Sequence, residues 1–472
     1  MKNNNDIGKK ILINLFKNNE VISASIVGSY SENKRVDKVG DIDVVVICKK
    51  LSKKIIKKLI KRLYSIQKKI LKKKIIINSS FGPLKINSHH YLPIHLMIYD
   101  INSHIDHVTS SPFTCYDWER SNWFKGIHLK NIYPVTNLQL RDFFNSRRSA
   151  TEYLSDLSQN RISIREHKYK KNKVIFKKKF IKIDPRNRGE FVYHIINFLV
   201  LNLNKFLKNE NIKIKDKDFD KLFLKVTKND RIMLAQFKSL KSQKENKVIF
   251  YNPKIILLAK RFMGKYDNYL REIKRDICEL NFVRHAKTSM NTKSVFLGSG
   301  SDPDIIKPKK VKILGKYDYI ITSNLKRSYS SARFYKSKEI IKNNLLNEIN
   351  YGKAEGLTYK VLKKKYPEII KGWRKSIDIK YPGGENTSNV KKRVIKFFKY
   401  LQKIKPRKKI LVISHSFFLR VLLGIMLKFD LKRIYKLKIE HLKMFQATIS
   451  KKYLISNLER KEIQKFYKQL ND

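Results

Sequence analysis

Three short apolar runs in the last third of the chain constrain its fold more than any other feature. Residues 279–284 (ELNFVR), 318–322 (DYIIT) and 409–414 (KILVIS) are rich in β-branched and aromatic side chains. Each stops at polar residues: Arg284-His285, Ser323-Asn324 and His415-Ser416. Between and after them, apolar residues fall at helical spacing over 325–337, 358–375, 387–404 and 416–428. Buried strands alternating with amphipathic helices require a mostly parallel sheet covered on both faces. Ligands gather where the strands of such a sheet end, so the polar residues at these ends are site candidates.

The rest of the chain reads differently. Strands are expected at 21–30, 41–48, 74–78 and 92–99, with a lysine-faced amphipathic helix over 51–72. From 138 to 275 the pattern is mostly helical, with a strongly apolar helix over 191–207. A basic stretch at 165–188 fits a strand pair, a mobile loop or an anion-binding surface. The expectation is an α/β and α+β multidomain chain: a sheet domain at 1–135, a mainly helical middle at 136–276 and a mostly parallel α/β domain at 277–472.

Lys+Arg total 105 against 40 Asp+Glu, a net charge of +65. A basic chain can bind nucleic acid or an anionic membrane surface. Here the excess is spread over the whole length, and lysine outnumbers arginine beside abundant Ile, Asn, Tyr and Phe, as AT-rich coding favours. Composition is therefore the first explanation, and nucleic acid is a possible but not favoured partner. Cys48, Cys115 and Cys278 lie far apart with no CxxC pair. That argues against a zinc site or a disulfide framework and fits a reducing cytoplasm. The first residues lack an apolar segment and cleavage site of the signal-peptide kind. The most apolar run, 410–427, contains His415 and Arg420, so no membrane span is expected.

Two arginines and two histidines at strand ends would form a compact cationic pocket. Guanidinium forks suit phosphate oxygens. A neutral imidazole can attack phosphorus and divide one transfer into two steps. A carboxyl group can protonate the leaving oxygen and later deprotonate water; Glu348 is the candidate. The segments Phe282-Val283-Arg284-His285-Ala286-Lys287-Thr288 with Asn291, Ser323-Asn324-Leu325-Lys326-Arg327-Ser328, Glu348 to Gly356 (E-x-x-x-G-x-x-E-G), Pro382-Gly383-Gly384-Glu385 and Val412-Ile413-Ser414-His415-Ser416 occur in this order. Together they resemble the histidine phosphatase (phosphoglycerate-mutase-like) superfamily. The resemblance implies His285 as nucleophile, Glu348 as proton donor, and Arg284, Arg327 and His415 as the phosphate pocket. It also implies substrate contacts from Asn291 and Thr288, a phosphorylated small-molecule substrate and no cofactor at this site. Ala286 stands where the family has glycine. The run DIIKPKKVKILG after Asp302 replaces a family helix, so a shortened or lost helix is expected there. The short stretch from Arg327 to Glu348 favours a phosphatase over a mutase, because less chain can form a lid.

Near the N-terminus, Gly28-Ser29 closes one expected strand and Asp41-Ile42-Asp43 opens the next. Residues i and i+2 of a strand share a face, so Asp41 and Asp43 can hold Mg²⁺ between them. A Gly-Ser turn lets backbone N–H groups approach phosphates. This pattern resembles the polymerase-beta-type nucleotidyltransferase superfamily. The resemblance implies nucleotide contacts from Gly28 and Ser29, metal ligation by Asp41 and Asp43, and an NTP partner. The family's third carboxylate falls at His95 in this chain, with Asp100 expected on the opposite face. Three functions follow as alternatives: a bifunctional enzyme joining phosphomonoester hydrolysis to nucleotidyl transfer, a phosphatase carrying a non-catalytic nucleotide-binding domain, and an RNA-acting nucleotidyltransferase.

Overall fold

The computed structural model describes residues 4–28, 30–31, 41–70, 74–78, 80–81, 91–110, 115, 118, 121–133, 140–170, 173–183, 188–209, 227–245, 254–307, 312–375, 377–427, 429–450 and 454–471. The chain divides into two compact units, Met1–Leu270 and Arg271–Asp472. The division falls within the helix Ile255–Asp276. The finer division expected at 135/136 lies inside the first unit.

In the first unit, eight strands are described: β1 (Val21–Val27), β2 (Ile42–Cys48), β3 (Lys74–Asn78), β4 (Ser80–Phe81), β5 (Tyr91–Asp100), β6 (Phe124–Gly126), β7 (Arg161–Lys170) and β8 (Lys173–Lys182). Five form a mixed sheet in the order β3-β5-β2-β1-β6. Strand β2 is at its centre, antiparallel to β1 and parallel to β5. Its run IDVVVIC is buried at every position except Asp43, which is why it reads as continuously apolar instead of alternating. The helices Asn4–Phe16 and Lys53–Ile70 supply Ile11, Leu15, Leu59 and Leu63 to the core against β1 and β2. They are also tied backbone to side chain: Asn14 donates to the Arg62 carbonyl at 2.6 Å, and Arg62 donates to the Asn14 carbonyl at 2.9 Å.

The basic stretch takes the strand-pair form. Strands β7 and β8 are an antiparallel hairpin running from Arg161↔Lys182 to Lys170↔Lys173, and β4 extends it to three strands. Around it the expected helices are present as Leu140–Ser158, Arg188–Asn209, Lys228–Glu245 and Ile255–Asp276. Inside these helices, Asn202 donates to Ser146 Oγ at 2.7 Å, and Lys265 pairs with the buried Asp230 at 2.7 Å.

The second unit is built on β9 (Cys278–Arg284), β10 (Lys316–Thr322), β11 (Lys336–Lys342), β12 (Lys409–Ser414), β13 (Met444–Ile449) and β14 (Leu454–Ser456). The sheet order is β11-β10-β12-β9-β13-β14. The first four strands are parallel to their neighbours, and β13 and β14 are antiparallel. The expected mostly parallel sheet is therefore present, with an antiparallel edge. The helix expected over 325–337 is corrected: it is one short helix, Lys326–Ser330, and a 3₁₀ turn, Ser331–Phe334, before strand β11. Strand β11 (KSKEIIK) is a largely exposed edge strand carrying lysines, so it has no alternating apolar face to reveal it. The helices Thr387–Leu401 and Ser416–Leu427 cover the sheet; nine of the twelve residues of the latter are buried, at ~1.5–3 kcal/mol per large apolar side chain. Twelve residues are too few to span a bilayer, and among the described residues no helix is long and apolar enough to cross a membrane. No helix occurs among the described residues between Asp302 and β10; residues 308–311, inside the run where a shortened or lost helix was expected, lie outside the described residues.

Candidate active site

Register brings the site together. Across the parallel strands Thr322 pairs with Ile413, Ile413 with Val283, and Ser414 with Arg284. Strands β12 and β9 end level and β10 stops one residue earlier, so His415 and His285 emerge side by side with Ser323 next to them. Buried serines fix these ends. Ser328 Oγ accepts from the Ser323 N–H at 3.1 Å and donates to the Ile413 carbonyl at 2.7 Å. Ser331 Oγ accepts from the Ala286 N–H at 2.8 Å and donates to the Arg327 carbonyl at 2.7 Å.

His285 is 2% exposed. Its N–H donates to the Ser414 carbonyl at 2.9 Å. Its Nδ1 lies 2.6 Å from the Ala286 carbonyl. A carbonyl can only accept, so Nδ1 carries a proton. Burial, followed by the Arg284 and Arg327 charges, holds the ring well below the usual histidine range. The ring is therefore neutral, and Nε2 carries the lone pair. His415, fully buried, lies 5.1 Å away between ring centroids, and its Nε2 is 2.7 Å from Ser323 Oγ. Burial and Arg327 depress it in the same way.

Arg284 donates to the Ile439 carbonyl at 2.8 Å, and burial pushes it down to about 10 despite the opposing Glu348 charge. Arg327 is completely buried and donates to the Gly298 and Ser301 carbonyls, each at 2.7 Å. Nε of Arg284, Nε of Arg327 and Nδ1 of His415 are buried without a hydrogen-bond partner among the described residues. Unpartnered polar atoms of this kind are uncommon in a folded chain. Three of them around one neutral histidine suit an anion.

Glu348 is 4% exposed. Its carboxylate accepts from the N–H of its neighbour Ile349 (3.1 Å) and, at the start of the helix Ser416–Leu427, from the N–H groups of Phe417 (3.1 Å) and Phe418 (3.2 Å). A carboxylate there also meets the positive end of the helix dipole. The segment around it is clamped by Arg393, which pairs with Glu385 at 2.9 Å and donates to the Leu345 and Asn347 carbonyls at 2.9 and 2.7 Å. Glu385 in turn accepts the Asn350 N–H at 2.9 Å. Gly352 has φ +53, and a Cβ there would sit 2.2 Å from the Pro382 carbonyl oxygen.

Sequence reasoning missed His441 and gave no role to Glu355, although Glu355 lies in the Glu348–Gly356 motif. His441 lies 5.3 Å from His285 between centroids and donates from Nδ1 to the His285 carbonyl at 2.7 Å. It arrives there because β13 runs antiparallel beside β9, with Met444 opposite Val283. No strand motif precedes it, and the strand MFQATI that follows it has a burial pattern without clean alternation, so no local signal marked it. Glu355 accepts the Gly298 and Ser301 N–H groups at 2.8 and 2.9 Å, and so holds the loop whose carbonyls hold Arg327. Thr288 and Asn291 are engaged with each other: they form the capping box of the short helix Ser289–Thr292.

In the first unit, register aligns Val27 with Asp43 and Asp43 with His95. His95 Nδ1 is 3.1 Å from Asp43 Oδ1, and one ligand atom from each of Asp41, Asp43 and His95 lies within 4.8 Å of the others. Gly28 has φ +72, and a Cβ there would sit 2.4 Å from Asp43 Oδ2. Asp100 caps the helix Ile101–Ser110 by accepting the Ser103 N–H at 2.8 Å. Ser29 lies outside the described residues.

A mostly parallel sheet with a neutral buried histidine, a second histidine and two arginines at its carboxyl edge is, for the second unit, the arrangement of the histidine phosphatase class. The comparisons agree, and through this unit the chain belongs to the histidine phosphatase superfamily (branch 1), whose family model matches residues 310–454. A 2,3-bisphosphoglycerate-dependent phosphoglycerate mutase of Rhizobium meliloti is 32% identical over 181 residues, covering 34% of this chain and 84% of the relative. Phosphoserine phosphatase 1 of Hydrogenobacter thermophilus is 29% identical over 169 residues, 33% of this chain and 80% of the relative. Among solved structures, a putative alpha-ribazole-5'-P phosphatase from Escherichia coli covers 38% of this chain and 95% of its own at 18% identity, with a TM-score of 0.34.

Proposed function

We propose that the second unit hydrolyses small phosphomonoesters in two steps through a phosphohistidine on Nε2 of His285. The observation that carries this reading is the proton position on His285: Nδ1–H is committed to the Ala286 carbonyl, which leaves the Nε2 lone pair for phosphorus. In the first step Nε2 attacks, the P–N bond forms and the P–O bond to the alcohol breaks. The departing oxygen takes the proton of the Glu348 carboxyl group. In the second step water gives a proton to the Glu348 carboxylate and its oxygen attacks phosphorus. The P–N bond then breaks, its electrons return to Nε2, and phosphate leaves. Arg284, Arg327 and His415 surround the charge that develops on the phosphoryl oxygens; a preorganised donor of this kind contributes ~2.7–4 kcal/mol. The short stretch from Arg327 to Glu348 supports hydrolysis over mutase chemistry.

The test is rapid acid-free quenching of the whole chain with an aryl phosphate, followed by intact-mass measurement. Wild type should carry one added phosphoryl group that is stable to base and lost in acid. His285→Ala should carry none and should lose hydrolysis by at least ~10³-fold, the scale of removing a nucleophile. Hydrolysis that persists in His285→Ala would refute the assignment.

A second reading concerns the first unit, and the convergence of Asp41, Asp43 and His95 favours it. Donor atoms within 4.8 Å of one another need to close by only a few tenths of an ångström to hold a single divalent ion at ~2.0–2.2 Å from each. Asp41, Asp43 and His95 would hold that ion, which would supply charge neutralisation to a nucleoside triphosphate. The imidazole in the set suits Zn²⁺, and the two carboxylates suit Mg²⁺ or Mn²⁺. Mn²⁺ binding followed by electron paramagnetic resonance should be lost in Asp43→Asn and weakened in His95→Ala. Pyrophosphate release from NTP would support transfer, and NTP binding without release would support the non-catalytic alternative.

A further inference from the structure

A cavity of about 310 Å³ lies against the proton-donor side of the site. Phe417 is in its wall, and the Phe417 N–H donates to Glu348. Tyr351, three residues past Glu348, is also in its wall. The oxygen that leaves phosphorus must reach Glu348, so the alcohol portion of the substrate extends into this space.

The wall is unusually aromatic. Trp373 lies near-parallel to Tyr435 (centroids 6.0 Å, 18°) and to Tyr359 (6.5 Å, 21°), and tilts 40° against Phe296 at 6.0 Å. A third ring between two parallel rings needs ~7 Å, twice a stacking contact, at the upper end of aromatic pair distances. These rings are therefore tiled into one surface and do not form a slot. A planar group would lie flat on that surface. The Tyr435 hydroxyl donates to the Trp373 carbonyl at 2.7 Å and fixes the arrangement.

Two cations line the same space, Arg374, which is exposed to solvent, and Arg420. Arg420 is one turn beyond Phe417 on the helix Ser416–Leu427, and its Nε is buried without a partner among the described residues. At the ~30 Å³ that a water-sized group occupies, the cavity holds about ten non-hydrogen atoms. A small polar three-carbon acid would leave the aromatic surface unused.

Resting on the phosphatase reading, we propose that the preferred substrate is a phosphomonoester whose alcohol portion is a small planar aromatic ring carrying a hydrogen-bond acceptor. Trp373 and Tyr359 supply the stacking surface, and Arg420 meets the acceptor.

The test compares alkyl esters of similar leaving-group basicity: benzyl phosphate and pyridin-4-ylmethyl phosphate, whose ring nitrogen is an acceptor, against glycerol phosphate and phosphoserine. The aromatic esters should show at least tenfold higher kcat/KM. Trp373→Ala and the milder Tyr359→Ala, whose side chain is half exposed, should each lower kcat/KM for the aromatic esters about tenfold more than for glycerol phosphate. Equal preference, or equal losses on both classes, would overturn the proposal. A binding arm keeps this separate from the phosphatase reading. Benzylphosphonate should bind wild type and His285→Ala at least tenfold more tightly than methylphosphonate, by calorimetry. If neither protein shows that difference, the aromatic subsite is refuted whatever the turnover. If the difference holds while all esters go unhydrolysed, the subsite stands and the hydrolytic reading fails.

Discussion

Replacing Glu355 by alanine removes the carboxylate that holds the Gly298–Ser301 loop without touching any group in the phosphate pocket. One oxygen, Oε1, accepts both short bonds, from Gly298 at 2.8 Å and Ser301 at 2.9 Å; the other accepts a long bond from Gly300 at 3.3 Å. Hydrogen bonds to a charged group contribute ~1.5–3 kcal/mol each. Two of them give ~3–6 kcal/mol, and water reaching this half-buried loop reduces the net loss to ~2–4 kcal/mol. The same two residues offer their carbonyls to Arg327, so a freed loop also displaces the guanidinium. Misplacing a reacting or charge-stabilising group by ~1 Å costs about 10²-fold in rate. Glutamine keeps a single acceptor oxygen, which can retain both short bonds. Glu355→Gln should therefore cost only ~1 kcal/mol and lower kcat less than tenfold, whereas Glu355→Ala should lower kcat by about 10². Urea denaturation and steady-state hydrolysis of an aryl phosphate measure the two effects. An alanine variant with wild-type kcat, or a glutamine variant as impaired as alanine, would show that Arg327 is not positioned through this loop.

Other perturbations give equally definite outcomes. Gly352→Ala places a Cβ in left-handed backbone and against the Pro382 carbonyl; the unfolding transition of the second unit should fall by ~2–4 kcal/mol, read by thermal denaturation. His285, His415 and His441 are all depressed, His441 to about 4 through burial and then Arg284. Their unfolded value is ~6.5, so in that window the unfolded chain binds more protons. Stability is full above about pH 6.5 and declines as pH falls toward 4. The transition that Gly352→Ala lowers should show that decline, with a shallower slope in His441→Asn; an unchanged Tm down to pH 4.5 would contradict it. Arg393→Lys loses the fork to Glu385 and should lower kcat by about tenfold through movement of the Glu348 segment, with KM little changed.

Much of the second unit was legible because its strands are buried on both faces and end in polar residues. The run Phe282 to His285 states within one short segment both where a strand lies and where it stops. Membership of the family and the mostly parallel sheet followed from that pattern. Strand β11 was illegible for the opposite reason: an exposed lysine-bearing edge has no apolar signature, and the helix expected over 325–337 ran on over its first residues, Lys336 and Ser337. His441 was hidden because its position depends on β13 folding back beside β9, a tertiary pairing that no local spacing encodes. In the first unit, Asp41, Asp43 and His95 were visible as a pair and a departure. Their convergence needed the β2–β5 register. Thr288 and Asn291 carried a sequence motif whose local meaning, a helix cap, is seen only in the backbone.

The bond from His285 Nδ1–H to the Ala286 carbonyl has a second consequence in the proposed cycle. A phosphoryl group on Nε2 with a proton on Nδ1 makes the ring cationic, and a cationic ring departs from phosphorus as neutral imidazole. The Ala286 oxygen would share that positive charge while it lasts. It thereby selects the nitrogen that reacts and also keeps the intermediate short-lived. The position next to the nucleophile contributes through its peptide oxygen, which is why alanine can stand there in place of the family's glycine: the group that matters is common to every amino acid.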